Sequence, residues 1–350
     1  MRRSIWKNVK RVLLVLLGGV VVLSIVYRDL LGYGLGQGWG QLRIIWNAKP
    51  IEKFLEDPAF ADSLKVKLRL IEQVRQYAID SLGLKDTRNY KTMYDQQGQE
   101  IMWVVTACEP FKLKPKQWTF PILGDVPYKG FFKKEKAIAL KEELEKDGWD
   151  VSIRNPGGWS TLGWFTDPIL SKMLERSIGD LANLIIHEMV HATIFVKDSI
   201  DFNENLATFI GDRGAEKFLV HLYGPGSPAY QDYIYEDVDY LKYVDHMLRG
   251  TETLDSLYAS FQASEDRAGK LRKKKIWIQH IVTSLDTLSL STVKYKPSSR
   301  FKDKLPNNAY FMNFRRYQSR QTDFWSEYQD VFHEDLKGYI RHMSEKYPFL

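Results

Sequence analysis

The chain has 350 residues, 44% of them hydrophobic and 13% aromatic, enough apolar material to bury a large core and too much for a disordered chain. Its net charge of +6 could suggest nucleic acid, but Arg2, Arg3, Lys7, Lys10 and Arg11 carry five of those charges with no acid among them, leaving +1 for residues 12–350. The excess is local, so no polyanion-binding surface and no nucleic-acid partner are expected.

Behind the basic segment 1–11 runs Val12–Tyr27, sixteen residues without a charge and about 24 Å long as a helix. With its cationic flank it reads as a single-pass membrane anchor over residues 12–28, basic end in the cytoplasm. Residues 29–350 would then be exported to the periplasmic side of a bacterial inner membrane. The alternative is a cleaved signal peptide with Gly32-Tyr33-Gly34 as its small-residue site. The glycine-rich stretch Leu30–Gln41 would let the exported domain stand off the bilayer or pack loosely on it.

Ile51–Leu84 reads as helical with a break at Pro58, its apolar stripe formed by Leu64, Leu68, Ile71, Val74 and Ile79. Strand-like runs follow at Met102–Thr106 and Trp118–Leu123. Cys108 is the single cysteine; it excludes an intramolecular disulfide and reads as a small core residue on a strand. Lys133–Asp147 is a charged amphipathic helix with a solvated lysine face. Trp149–Arg154 and Ser160–Phe165 look like strands joined by the turn Asn155-Pro156-Gly157-Gly158. The second of them is a candidate edge for pairing with an extended peptide, or equally a core strand with Trp159, Leu162 and Trp164 packed inward.

Leu184–Ala207, LIIHEMVHATIFVKDSIDFNENLA, carries the chemistry. In a helix, residues i and i+4 share a face, so His187 and His191 project side by side with Glu188 one residue round from the first. HExxH supplies two zinc ligands and a general base; the plain alternative is two satisfied core histidines. A turn at Val196–Asp201 precedes a second helical pattern starting near Phe202. Glu204 in its first turn is the candidate third ligand, with Asp212 or a later residue as the alternative and a bare helix-start carboxylate as the structural reading.

After Gly214 the pattern is helical: Glu216–Tyr223, Ala229–Leu248, Leu254–Val282 and Thr322–Tyr347, with breaks at Gly224–Gly226, Gly250 and Pro297–Asn308. Arg272–Lys275 reads as a solvated face. Tyr128, Tyr223, His221, His246 and His280 are each candidates to polarise a substrate carbonyl opposite a metal, and the sequence does not choose among them.

HExxH followed by a helix bearing NExxA resembles the gluzincin clan of zinc peptidases, of which thermolysin is the familiar member. The segments GQLRIIWNAKPIEKFLEDP, GGWSTLGWFTDPIL, LIIHEMVHATIFVKDSIDFNENLATFIGDRGAEKFL and LPNNAYF are similar, in order, to a family of bacterial proteins described as predicted aminopeptidases. The resemblance implies that His187, His191 and Glu204 hold zinc and that Glu188 is catalytic.

The expectation is therefore an α+β, gluzincin or thermolysin-like fold preceded by one transmembrane helix. A mixed lobe at about 36–177 and a helical lobe at about 178–350 would hold the metal between them. The expected function is zinc-dependent hydrolysis of a peptide or protein substrate, as an aminopeptidase. The rivals are an inactive scaffold that keeps its metal and a hydrolase of cell-wall amides.

Overall fold

The computed structural model describes residues 27–120, 124–158, 166–293 and 296–347, together with Trp6, Leu13, Leu14, Leu17, Gly18 and Phe349. The chain divides into two compact units, Met1–Asn47 and Ala48–Leu350.

The described part of the first unit is essentially one helix, α1 (Arg28–Asn47). The glycine-rich stretch expected to be a loose connection thus lies inside a helix, which glycine disfavours by only about 1 kcal/mol per residue. The expected transmembrane helix, and with it the inner-membrane localisation, must be corrected. Among the described residues no helix is long and apolar enough to cross a membrane. Helix α1 has the length, but Arg28, Asp29 and Arg43, with its glutamines and glycines, make it too polar. Of the apolar run itself, all but Leu13, Leu14, Leu17, Gly18 and Tyr27 lies outside the described residues.

In the second unit, β1 (Lys49–Pro50) leads into α2 (Ile51–Glu56), and a break at Asp57-Pro58 separates it from α3 (Asp62–Asp80). The stripe read from sequence faces inward: Leu68, Ile71 and Val74 are fully buried, while Leu64 and Ile79 pack at the core's margin. Strands β2 (Thr92–Tyr94), β3 (Trp103–Cys108), β4 (Trp118–Phe120), β5 (Gly124–Val126) and β6 (Lys129–Phe131) follow, then α4 (Lys134–Lys146), β7 (Asp150–Arg154) and β8 (Ile169–Leu170). The expected strand Ser160–Phe165 lies outside the described residues.

These strands form three small sheets, β1-β2-β8, β6-β3-β7 and β4-β5. Central β3 pairs antiparallel with both neighbours, Trp103 against Phe131 and Val104 against Arg154. Being flanked on both edges it is buried from Val104 onward, and Cys108 at its end is buried too. That burial pushes the Cys108 thiol up to about 12, so it stays protonated and inert.

A 3₁₀ turn, Ser171–Glu175, delivers the chain to α5 (Ile178–His191), followed by α6 (Ile200–Tyr223), α7 (Pro228–Ala259), α8 (Arg267–Ser284), α9 (Asn308–Gln318), α10 (Gln321–Asp330) and α11 (Leu336–Lys346). Side-chain caps mark their starts: Ser177, Ser227, Asp266, Asn307 and Asp335 each accept a backbone N–H of the first turn. Several expected boundaries move. Gly250 does not end a helix, because α7 runs through it; a Cβ there would lie 2.8 Å from Ile281 Cγ2, so the glycine admits α8 to close packing. The last expected helix is two, α10 and α11, divided where His333 and Glu334 take left-handed φ values of 48° and 65°. Within the basic run, Lys274 is turned inward rather than solvated, donating to Pro110 O at 2.9 Å and pairing with Asp150.

Two apolar clusters result. One joins α3, β2, β8, α5, α6, α10 and α11; the other joins Cys108 and Leu113 to α7, α8 and α9. Mixed helix and sheet are both present, but the thermolysin-like label is not supported. Among the described residues sheet is confined to short separate ribbons, and α5 packs against α6, α3 and α7.

Candidate metal centre

Helix α5 begins where Ser177 Oγ accepts from Asp180 N at 3.2 Å, and ends at His191. Leu181, Ile185, Ile186, Met189 and Val190 are buried almost completely, so its heading is fixed by packing on several sides. The turn that follows is held by a reciprocal pair. Asn203 Nδ2 donates to Val196 O at 2.8 Å and Val196 N donates to Asn203 Oδ1 at 2.9 Å. On the other side of Glu204, fully buried Asn205 donates through Nδ2 to Asp201 O at 2.8 Å and Arg316 O at 2.5 Å, and accepts Arg320 N at 2.9 Å. Glu204 is therefore clamped by its two asparagine neighbours, one tying it to the turn after α5 and the other to the α9–α10 corner.

These constraints bring three donors together. His187 Nε2 and His191 Nε2 are 3.1 Å apart, and Glu204 Oε2 lies 3.4 Å from the first and 3.5 Å from the second. A tetrahedral ion with bonds of about 2.0–2.1 Å needs ligand atoms about 3.3–3.4 Å apart, so the triangle has the size of one face of such a site. Among the described residues these three form the one cluster of histidine, cysteine and carboxylate ligands able to hold a metal ion. Asp212, the alternative third ligand, instead accepts Asn183 Nδ2 at 2.5 Å, and Asn183 also donates to Tyr233 Oη at 2.9 Å.

The site holds Glu204 ionised beside the two imidazoles. Burial alone would raise the Glu204 carboxyl, but the His191 and His187 imidazoles hold it well below the usual carboxylate range. Burial disfavours charge on His191, yet Glu204 outweighs it and raises the imidazole's proton affinity. Among the described residues His191 Nδ1 is buried without a hydrogen-bond partner.

Glu188 is buried beside the triangle without joining it. Burial raises its pKa, opposed by His187, His191 and Arg176. The expected turn Asn155–Gly158 covers it: a Cβ on Gly158 would stand 3.2 Å from Glu188 Oε1 and 3.1 Å from Met173 Cε, so a residue without one allows the backbone over the carboxylate. The buried Tyr90, whose hydroxyl has no hydrogen-bond partner among the described residues, lies within electrostatic reach of Glu188.

Of the five candidates to polarise a carbonyl, Tyr128 comes near the triad, within electrostatic reach of Glu204; burial keeps its phenol protonated. Tyr223 is largely exposed, His221 packs on Tyr77, His246 Nε2 meets Ile281 O at 2.8 Å and His280 stacks on Trp277. Sequence reading missed Arg154, Arg316 and Tyr317, which gather on the Glu204 side. Their approach depends on α9 packing against α6, a contact between segments about a hundred residues apart that leaves no local pattern. The asparagines flanking Glu204 were visible in NEN but gave no sign of their partners.

Residues 32–346 match the model of a family described as "Putative aminopeptidase". No curated protein and no solved structure matches the chain, so the thermolysin-like expectation finds no support there either.

Proposed function

The chain belongs to this putative aminopeptidase family, and on that premise we propose that it is a zinc-dependent peptidase in which His187, His191 and Glu204 hold the metal and Glu188 is the general base. The observation that carries this reading is the donor triangle with edges of 3.1, 3.4 and 3.5 Å. Two imidazole nitrogens and one carboxylate oxygen suit zinc, and a three-residue set leaves a position open for chemistry. A zinc ion bound there would supply Lewis acidity to polarise a peptide carbonyl and would lower the pKa of water to about 7.

The protein's own groups handle the proton. Glu188 takes it from the attacking water and returns it to the leaving amine; its buried setting, which raises its pKa, suits a group that must both accept and give. Gly158 lies close against this buried carboxylate. Tyr128, its phenol protonated, is the candidate donor to the oxygen on which negative charge develops.

The test is Glu188→Gln in the zinc-loaded chain, assayed for bound metal and for hydrolysis of a peptide library. Metal content should stay at one per chain while turnover falls by roughly 10²–10⁴-fold. Unchanged turnover, or hydrolysis by the zinc-stripped protein, would refute the assignment.

A further inference from the structure

Beyond Glu204 the surroundings of the triad are cationic. Arg154, at the end of β7, donates from Nη2 to Tyr317 Oη at 2.9 Å, with its guanidinium carbon 5.8 Å from that ring's centroid. Arg316, on α9 and 1% exposed, lies 6.0 Å from the centroid of Tyr128. Both Nε atoms are buried without a hydrogen-bond partner among the described residues. Arg316 has Asp201 Oδ1 3.5 Å from its Nε, on a largely exposed side chain. Arg154 forms no ion pair among the described residues; the carboxylate whose field it feels is Glu204.

If Glu204 is engaged by a divalent cation, Arg154 is left facing phenols. A part-buried guanidinium without a carboxylate is better satisfied when something else supplies the anion. Its planar fork is matched to a carboxylate, which it binds through two parallel N–H donors. The substrate's amino terminus would want the opposite arrangement, an unengaged acid, and this side of the centre offers guanidinium groups.

Resting on the peptidase reading, we infer that Arg154, positioned by Tyr317, forms a subsite for the free C-terminal carboxylate of a short peptide. The substrate class is then short peptides whose free C-terminal carboxylate lies on the side of the cut bond that faces Arg154. The neutral Tyr317 phenol both accepts from Arg154 and presents its O–H to the incoming carboxylate.

The probes are trialanine with a free carboxylate and its C-terminal amide, which differ in that one charge. For the zinc-loaded full chain, kcat/KM should favour the acid by roughly 10- to 100-fold, the range of a charge-assisted hydrogen bond. Arg154→Gln should abolish the preference by weakening the acid alone, Arg154→Lys should restore part of it, and Tyr317→Phe should reduce it in a protein with an unchanged melting temperature. Calorimetric binding of both probes to zinc-loaded Glu188→Gln, which does not depend on turnover, should show the same preference. Equal binding of acid and amide, or an Arg154→Gln variant that weakens both alike, overturns the subsite. A carboxylate preference in binding with no hydrolysis by the wild type keeps the subsite and overturns the peptidase reading.

Discussion

Glu204 is the ligand whose removal separates a metal centre from a histidine pair. Glu204→Gln keeps the side chain's size while removing the charge that sits 3.4 and 3.5 Å from the two imidazoles. In the wild type, free zinc at 100 times its Kd should stabilise the fold by RT ln(101), about 2.7 kcal/mol. At about 2 °C per kcal/mol for a chain of this size, that is a rise in Tm of roughly 5 °C. Loss of an outer partner of a metal ligand weakens affinity by about 10- to 100-fold, and loss of a direct ligand should do at least as much. At the same zinc concentration a 100-fold weaker site leaves RT ln 2, about 0.4 kcal/mol, a shift under about 1 °C. The assay is a pair of thermal scans, zinc-stripped and zinc-loaded, with metal content measured after dialysis. A Glu204→Gln protein that keeps one zinc per chain and the full 5 °C shift would refute the third-ligand assignment, and with it the donor triangle as the origin of binding.

Three further outcomes follow from the same geometry. Because the ligands must be deprotonated to bind, and Glu204 raises the proton affinity of His191 above its ordinary value, zinc retention should fall as pH drops through the imidazole range; retention unchanged down to pH 5 in equilibrium dialysis would contradict it. Asn205→Ala abandons buried partners on both sides of the α6–α9 contact and should cost about 2–3 kcal/mol in denaturant unfolding, an effect below about 0.5 kcal/mol being inconsistent with a clamp. Burial and the neighbouring Asp237 carboxylate raise Asp212 to about 7 from an ordinary 3.8, so its contribution to stability is fullest below about 4 and is lost as pH rises through 7. Wild-type Tm should accordingly decline between about pH 4 and 7, and Asp212→Asn should flatten that decline; parallel curves for the two proteins would exclude Asp212 as the source.

The sequence by itself determined the elements whose information is local. The i, i+4 spacing of His187 and His191 places two imidazoles on one helix face whatever surrounds them, and Glu204 one turn into the next helix was legible for the same reason. The apolar stripe of α3 and the breaks at Pro58 and Gly224 are likewise set by periodicity and by backbone chemistry. Tertiary structure decided what depends on distant partners. Gly250 reads as a break in isolation, yet Ile281 on α8 converts it into a packing position inside α7. Lys274 reads as a solvated cation until Asp150 and Pro110 O meet it from elsewhere in the chain. The membrane reading rested on hydropathy of residues 12–28, and no described helix carries it. The cationic side of the centre had no local signature, because Arg154 and Tyr317 lie 163 residues apart and acquire joint meaning once α9 packs on α6. Neither charge nor periodicity along a chain records that meeting; the packing of helices that bury their apolar faces against one another creates it.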